Sequence, residues 1–335
     1  MRRAILCLAV ILAAGSVAVS ANDDKKSSSG LTAAIIKAAD NQLAREGTFA
    51  NGDTGTGVIT CAWEWQAGSG WAYANTQAPS ARGLLAAYAV TEKSKYLKGA
   101  VCAGNRLVAA LDANPTERPY SEDVIFLMEL AKASDNKLFA KRAETYHTRT
   151  RLRYATGAIL ADHYIDIRLS LSGWDLSSQI DAAVAVGQDR YARAIADRII
   201  ERRANWEGVL YGGWDYTGMS RGALVGALAS FEGKTIKKFR DEARTLTLAA
   251  QGADGSWDGD FQITAFALAG LETSQNSNAV KKATRLGIKY LLSTQATTGG
   301  WVWDGWGESP EANGEVLSAL CRFVREHGDD DRDDR

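Results

Sequence analysis

The chain has 335 residues, 46% of them hydrophobic and 24% charged, which fits one large globular domain or two small ones. The formal net charge of −1 excludes a strongly basic surface, so we expect no nucleic acid partner. After residue 17, no run reaches the ~18 apolar residues of a membrane helix, so no membrane span is predicted.

The first 21 residues have the pattern of a secretory signal peptide. A basic start precedes an apolar stretch over 4–17, and small residues at Val19 and Ala21 predict cleavage after Ala21. Residues 22–30 are polar and rich in Ser and Lys, as in a mobile linker. The sequence therefore predicts a periplasmic or secreted protein.

Three cysteines remain after this cleavage: Cys61, Cys102 and Cys321. Export permits disulfides, but an odd number of thiols allows at most one bridge. Two interpretations stay open, namely three buried cysteines that act as small apolar residues, or a bridge between Cys61 and Cys102. The chain has no CxxC and no HExxH motif, so neither a metal site nor a cofactor is predicted.

Helical spacing of apolar residues recurs along most of the chain, whereas no convincing strand pattern is present. A Gly/Thr-rich loop is predicted over 49–60, and residues 151–171 are left unassigned. A charged tail covers 327–335. In chain order, the predicted helices cover approximately 31–47, 79–89, 94–111, 121–130, 137–150, 176–186, 189–203, 219–231, 234–250, 261–271, 279–292 and 310–324.

Tryptophans recur at roughly 40–44 residues, which is the length of one helix–turn–helix unit. Trp174, Trp214, Trp257 and Trp301 mark four units, and Trp71 marks an earlier one. The count gives about six pairs, each with one small apolar helix and one amphipathic helix. Small apolar helices suit an inner ring and amphipathic helices an outer ring. Residues 31–326 are therefore predicted to form an all-α domain that is either a closed (α/α)6 toroid or an open helical solenoid.

Two segments carry a repeated motif in which a glutamine precedes a Gly-rich turn and a tryptophan. Gln295, Gly299 and Trp301 form one copy, and Gln251 and Trp257 belong to a weaker one. The motif resembles the QW repeat of the terpenoid-cyclase and protein-prenyltransferase superfamily. This resemblance implies a closed α/α barrel with a central cavity, and the Gln–Trp pair is a structural staple in it.

The functional motifs of those families are missing from this chain. The nearest match to the Asp-x-Asp-Asp acid of squalene-type cyclases is Asp258-Gly-Asp260, which lacks the third aspartate. No histidine stands in a pattern with cysteine that matches the zinc site of prenyltransferases. The thioester motif of complement-type toroids is also absent. The resemblance therefore implies a fold without assigning a reaction.

Aromatic and acidic residues occur together in the loops of successive repeats, where inner helices are predicted to begin. Aromatic faces can stack on sugar rings or cover prenyl chains, and carboxylates can act as acids and bases. An aspartate before a helix can instead be an N-cap. The candidate catalytic residues are Asp175, Asp215, Asp258 and Asp260, and the candidate substrate-binding residues are Trp71, Trp174, Trp214, Tyr216, Trp303, Asp304 and Trp306.

Further charged residues are predicted on the inner helices. Arg82 and Arg221 lie one turn into their helices, where they could bind an anionic substrate or pair with a capping aspartate. Glu311 and Glu315 are four residues apart and share a helix face, so they could share a proton or bind a cation.

Three functions follow from these patterns. The first is an exported protein that binds or acts on a carbohydrate, of the lyase or hydrolase type, in the cavity of the toroid. The second is a non-catalytic scaffold for another exported protein. The third is a protein that handles terpenoid or prenyl compounds, which is the function closest to the QW resemblance.

Overall fold

The computed structural model describes residues 30–153, 172–211, 214–273 and 277–327. The predicted signal peptide, the linker up to residue 29, the tail after residue 327 and most of the unassigned segment lie outside these ranges. The described residues contain twelve α-helices: α1 (Gly30–Ala44), α2 (Ala74–Thr91), α3 (Ser94–Ala113), α4 (Ser121–Ser134), α5 (Lys137–Arg153), α6 (Ser172–Ala185), α7 (Asp189–Glu201), α8 (Thr217–Ala227), α9 (Lys234–Ala249), α10 (Phe261–Glu272), α11 (Asn278–Thr294) and α12 (Pro310–His327).

The helices alternate between two concentric layers. The even-numbered helices contact one another in order around the centre, and α12 packs against α2, so the inner ring is closed. The odd-numbered helices lie outside this ring, and α1 contacts both α2 and α12. The fold is therefore the closed (α/α)6 toroid that the sequence predicts, and none of its described helices combines the length and apolar character that crossing a bilayer requires.

The composition of the helices explains the two layers. Helix α10 contains a single charged residue, Glu272, and can be surrounded by other helices. Helix α9 buries Ile236, Phe239, Ala243 and Thr247 on one face and carries seven charged residues elsewhere, so it covers the core on one side and meets water on the other.

Short strands interrupt the loops before the inner helices, which the sequence did not predict. Strands β1 (Gly47–Asn51) and β2 (Val58–Ala62) form an antiparallel hairpin within the expected Gly/Thr-rich loop, and β3 (Trp71–Ala72) pairs in parallel with β1. Two-residue pairs follow as β4 (Leu210–Tyr211) with β5 (Trp214–Asp215) and β6 (Val302–Trp303) with β7 (Gly307–Glu308). Strands this short carry no readable alternation of apolar and polar residues.

Four buried tryptophans, each in the loop after an outer helix, donate a hydrogen bond to a carbonyl oxygen of that helix. The indole N–H of Trp301 donates to Leu291 O at 2.8 Å, and that of Trp257 donates to Thr247 O at 2.6 Å. Trp63 and Trp206 make the equivalent bonds to the carbonyl oxygens of Gln42 and Ile199, at 2.7 and 3.2 Å. The staple positions of the earlier repeats are therefore Trp63 and Trp206. The expected marker Trp71 is instead 42% exposed.

The glutamines of the QW motif connect neighbouring repeats. Gln251 Nε2 donates to Gly255 O in its own turn and to Ala283 O of the next outer helix, at 2.9 and 2.8 Å. Gln295 Nε2 makes the same pair of bonds to Gly299 O and to Ala34 O at 2.8 and 3.0 Å. Because Ala34 belongs to α1, the last repeat is bonded to the first, and the motif is a structural staple as the resemblance implies.

Glycines allow the inner helices to approach one another closely. A Cβ atom added to Gly83 of α2 would lie 2.7 Å from the Cα of Gly314 in α12. The same contact recurs between α8 and α10, where a Cβ on Gly270 would lie 2.3 Å from Gly222 O. These distances are shorter than van der Waals contact, so larger residues would push the ring apart.

Two glycines on α8 provide a matched test of this packing. A Cβ at Gly222 would lie 2.5 Å from Phe266 O, whereas one at Gly226 would lie 3.8 Å from Ala269 O. Alanine is favoured over glycine inside a helix by about 1 kcal/mol, but overpacking costs about 1–3 kcal/mol. We expect Gly222→Ala to lower the free energy of unfolding in urea by about 1–2 kcal/mol and Gly226→Ala to raise it by up to about 1 kcal/mol. A stabilised Gly222→Ala variant would show that the two backbones are not in close contact.

A disulfide joins Cys61 on β2 to Cys102 on α3, and Cys321 is a buried free thiol. The bridge therefore selects the second of the two interpretations of the cysteines. It holds the first hairpin against the outer layer of the toroid.

Candidate functional site

The long loops all precede inner helices, and they form one end of the toroid. Short connections join each inner helix to the next outer helix, so the inner helices run in the same direction and their N-terminal ends lie together. We call this end the mouth; it comprises residues 45–73, 114–120, 202–211, 214–216, 250–260 and 295–309. The predicted aromatic and acidic candidates in these loops share this end.

Asp258 is the most unusual carboxylic acid in the mouth. Its φ of 56° lies in the left-handed region, which is uncommon for a residue other than glycine. Within the described residues its carboxylate has no hydrogen-bond donor, and Oδ2 lies over Gly218, where a Cβ would be 3.2 Å away. Burial raises the pKa of Asp258, the charges of Asp215 and Asp260 raise it further, and Arg221 partly opposes them.

The neighbouring aspartates cap helices. Asp260 Oδ1 accepts from the backbone N–H groups of Gln262 and Ile263 at 2.7 and 2.8 Å, at the start of α10. Asp215 Oδ1 accepts from Thr217 N at 2.8 Å, at the start of α8. These bonds satisfy terminal N–H groups and place both carboxylates beside Asp258.

Aromatic side chains surround this group of aspartates. The Trp303 ring stacks on Phe261 with 4.8 Å between centroids, and its indole N–H donates to Asp260 Oδ2 at 2.8 Å. The pKa of Tyr216 is raised by burial and by the nearby charge of Asp260. We call Asp215, Tyr216, Asp258, Asp260 and Trp303 the aspartate group; all five are candidates from the sequence.

Other candidates form a second group, at the junction of the first and last repeats. Trp306 is 55% exposed, and its ring meets Trp65 edge-on at 6.5 Å, while Trp65 meets Tyr73 at 6.4 Å. Trp71, which is also largely exposed, belongs to the same loop, and Asp304 is exposed beside Trp306 in the chain. For Trp174 and Trp214 the backbone lies in α6 and β5, and their side chains fall outside the description.

Arg221 connects the mouth to a charged loop. Its Nε donates to Glu207 Oε1 at 2.8 Å, and Arg203 makes a further ion pair with the same carboxylate. These two hydrogen-bonded guanidinium groups lower the pKa of Glu207 against the opposing effect of burial. Arg221 is therefore ion-paired, although with a glutamate and not with the capping aspartate considered from the sequence.

A cavity of about 310 Å³ lies at the centre of the inner ring, and all six inner helices contribute to its wall. This volume is at the lower end of the ordinary range for ligand pockets, roughly 300–1,000 Å³. Arg82 crosses part of this space: it donates to both carboxylate oxygens of Glu129 at 2.9 Å and to Glu122 Oε2 at 2.5 Å. The charged lining also includes Asp181, Glu315 and Arg322.

Burial raises the pKa of several carboxyl groups in this interior. It raises the pKa of Asp181 to about 7, and it is also the main cause of the raised pKa values of Glu311 and Glu315. The charges of Glu122 and Asp175 add to the effect on Glu311, and Gln262 Nε2 donates to Glu315 Oε2 at 2.6 Å. Asp175 therefore lies near Glu311, and the two glutamates share the inner face of α12.

Sequence reasoning missed Glu122, Glu129, Asp181 and Arg322 in the cavity and Glu207 in the mouth. Each of the four cavity residues is a charged residue on a helix of the inner ring. Their position on inner helices is the signal that could have identified them. A run of charged residues on an amphipathic outer helix indicates only a face exposed to water, whereas a charged residue on an inner helix faces a neighbouring helix or the cavity.

No protein-family profile matches the chain, and no curated protein matches it. Solved structures do resemble it. The type II terpene cyclase MstE from Scytonema, without ligand, is 16% identical with a TM-score of 0.62 over 89% of this chain and 98% of that chain. An unsaturated glucuronyl hydrolase specific for heparin is 12% identical with a TM-score of 0.59 over 88% and 97% of the two chains. A glucuronyl hydrolase from Streptococcus agalactiae is 14% identical with a TM-score of 0.55 over 88% and 91%. At these identities the likeness establishes the α/α toroid fold alone.

Proposed function

We propose that the protein is exported and acts on a carbohydrate at the mouth, as a hydrolase in which Asp258 is the general acid. The observation that carries the proposal is the environment of Asp258. Burial and the charges of Asp215 and Asp260 raise its pKa, which is the direction a general acid needs, and no hydrogen bond within the described residues uses its carboxyl group.

The residues around Asp258 supply the other parts of a hydrolysis. Asp258 would give its proton to the leaving oxygen of a glycosidic bond, while the exposed carboxylate of Asp215 would take a proton from the attacking water. Arg221 lies close enough to lower the pKa of Asp258, so it would stabilise the carboxylate left behind. Trp303, fixed by its stacking on Phe261 and its bond to Asp260, would position a sugar ring.

The cavity favours a hydroxylated ligand over a hydrocarbon. Arg82, Glu122 and Glu129 form ion pairs in its wall, and the carboxyl group of Asp181 can accept a hydrogen bond from a hydroxyl group when ionised or donate one when protonated. Two of the similar structures are glucuronyl hydrolases, which agrees with a sugar substrate.

A second candidate is the protonation of a terpenoid or prenyl alkene by Asp258. The likeness to a type II terpene cyclase favours it, since the TM-score of 0.62 is at least as high as for the hydrolases. The charged wall of the cavity argues against it, because a polyprenyl chain would desolvate ion pairs without offering them hydrogen bonds.

Thermal unfolding with a ligand panel tests these candidates on the chain from Asn22. The panel holds neutral glycans, polyuronides and polyprenyl diphosphates, and a ligand at about 100 times its Kd adds roughly 2.7 kcal/mol. We expect one class of sugar to raise the unfolding temperature, and we expect this rise to be absent in the Trp303→Ala variant. A shift with prenyl compounds alone would support the second candidate, and no shift with any compound would favour a scaffold for another exported protein.

Asp258→Asn should then lower the turnover of that sugar by about 10²–10⁴-fold while the thermal shift persists, since the amide cannot donate an acidic proton. Asp135→Asn is the matched control, because Asp135 also has a left-handed conformation, with a φ of 51°, but ends α4 at the opposite face of the toroid. Equal turnover by the Asp258→Asn variant and the wild-type protein would exclude Asp258 as the acid.

A further inference from the structure

Three potential metal ligands meet away from the mouth and the central cavity. The Sγ atoms of Cys61 and Cys102 and a carboxylate oxygen of Glu46 all lie within 4.8 Å of one another. They come from three separate elements, namely the segment after α1, strand β2 and helix α3. In the described part of the chain this is the one group of three His, Cys, Asp or Glu side chains with such spacing.

The packing around Glu46 keeps its carboxylate at the two sulfurs. A Cβ on Gly99 would lie 2.8 Å from Glu46 Oε2, so the absence of a side chain at residue 99 makes room for this oxygen, one turn before Cys102 on the same helix. Any larger residue there would displace the carboxylate. The Glu46 carboxylate therefore occupies the space that Gly99 leaves open on α3, and the side chain does not extend into solvent.

Nothing in the described structure neutralises this carboxylate. Its carboxyl group is half-buried, takes part in no ion pair and accepts no hydrogen bond from the described residues. Cys61 also has a φ of 47°, in the left-handed region, and such strain concentrates at functional sites. An unpaired carboxyl group beside two sulfurs is costly to bury, and a bound cation would remove that cost.

We propose that Glu46, Cys61 and Cys102 bind Zn²⁺ or a similar thiophilic divalent cation when the disulfide is reduced. In a tetrahedral zinc site, the usual Zn–S and Zn–O bond lengths place the ligand atoms roughly 3.6–3.8 Å apart. The three ligand atoms here lie within 4.8 Å of one another, which permits this spacing. The Cα atoms of the two cysteines are 5.6 Å apart, so their side chains can separate to that distance. Water completes the coordination, because both cysteines are partly accessible.

The reduction of the disulfide is balanced when a phosphine is the reductant. The phosphine takes the oxygen atom of one water and becomes its oxide, while the two sulfurs receive two electrons and the two protons of that water. Binding of Zn²⁺ then displaces the two thiol protons and forms two metal–thiolate bonds. The disulfide and the metal are therefore mutually exclusive on the same sulfur atoms.

The test is a titration of the full mature chain with Co²⁺ and Zn²⁺, before and after reduction with tris(2-carboxyethyl)phosphine. All samples carry Cys321→Ala, which removes the remaining thiol. We expect the reduced chain to bind one Co²⁺ with the sulfur-to-metal absorption of thiolate ligation, to lose that absorption when Zn²⁺ is added, and to show no binding when oxidised.

Glu46→Gln should weaken binding by at least about tenfold, since even residues that only support a ligand affect metal affinity by 10–100-fold. Glu144→Gln, on the exposed side of α5, should leave the affinity unchanged. Circular dichroism recorded before metal addition shows whether the reduced chain is folded, and a chain that unfolds on reduction should refold with Zn²⁺. Absence of binding by the reduced chain, absence of refolding, or equal affinity in Glu46→Gln would each overturn the proposal.

Discussion

Replacing Trp301 with alanine is expected to lower the free energy of unfolding by about 3–5 kcal/mol. The Trp301 side chain is fully buried, and its indole N–H donates to Leu291 O at 2.8 Å. The substitution leaves a large cavity and removes the indole hydrogen bond to a carbonyl oxygen near the end of α11. Few other single substitutions in the chain should have so large an effect.

The matched control is Trp306→Ala, in the same loop. Its ring is 55% exposed, so we expect a change of less than about 0.5 kcal/mol. Urea unfolding followed by far-UV circular dichroism measures both variants without relying on tryptophan fluorescence. Equal losses in the two variants would mean that burial and the indole bond do not determine the contribution of Trp301.

The stability of the protein should fall as the pH rises from about 5 to about 9. Both carboxylate oxygens of Glu272 are buried without a hydrogen-bond donor among the described residues, and burial raises its pKa to about 8. Between the unfolded pKa and this folded value, the folded chain binds the proton that the unfolded chain has lost. Raising the pH through that range therefore destabilises the folded state.

Glu272→Gln should remove part of this dependence. At about pH 9 the variant is expected to be more stable than the wild-type protein by roughly 2–4 kcal/mol, and at about pH 5 the two should differ little. Asp181 contributes to the remaining slope, since its pKa is raised to about 7. Glu144→Gln, which alters an exposed side chain on α5, is the control. Parallel stability curves for Glu272→Gln and the wild-type protein would contradict the assignment.

The closed ring was implied by the resemblance to the QW repeat. The repeat period predicted pairs of helices in two layers, because the pattern of small and amphipathic helices is a property of each segment alone. It placed the helices and both layers. It did not place the staples of the earlier repeats, since Trp63 and Trp71 lie in the same loop, and only burial separates them. The strands were missed because most contain only two residues.

The candidate site was predictable in part. Asp258, Asp260 and Trp303 could be proposed because they lie in loops that precede predicted inner helices, and the structure brings them together. That Asp260 caps a helix while Asp258 does not depends on backbone angles, which the sequence does not specify. The charges of the cavity depend on which side of an inner helix faces the centre, and this becomes defined only when the ring closes.

The bonds between the first and last repeats have a consequence for how the chain folds. Gln295 reaches Ala34 across 261 residues, and α12 packs on α2. Contacts this distant in sequence must be formed against the entropy of a very long loop, so we expect slow folding despite the helical content. In a partly folded chain whose first and last repeats have not yet met, the two terminal inner helices would each have one side uncovered. The repeat that closes the ring is also synthesised after the others, so the nascent chain cannot complete its core until α12 has left the ribosome.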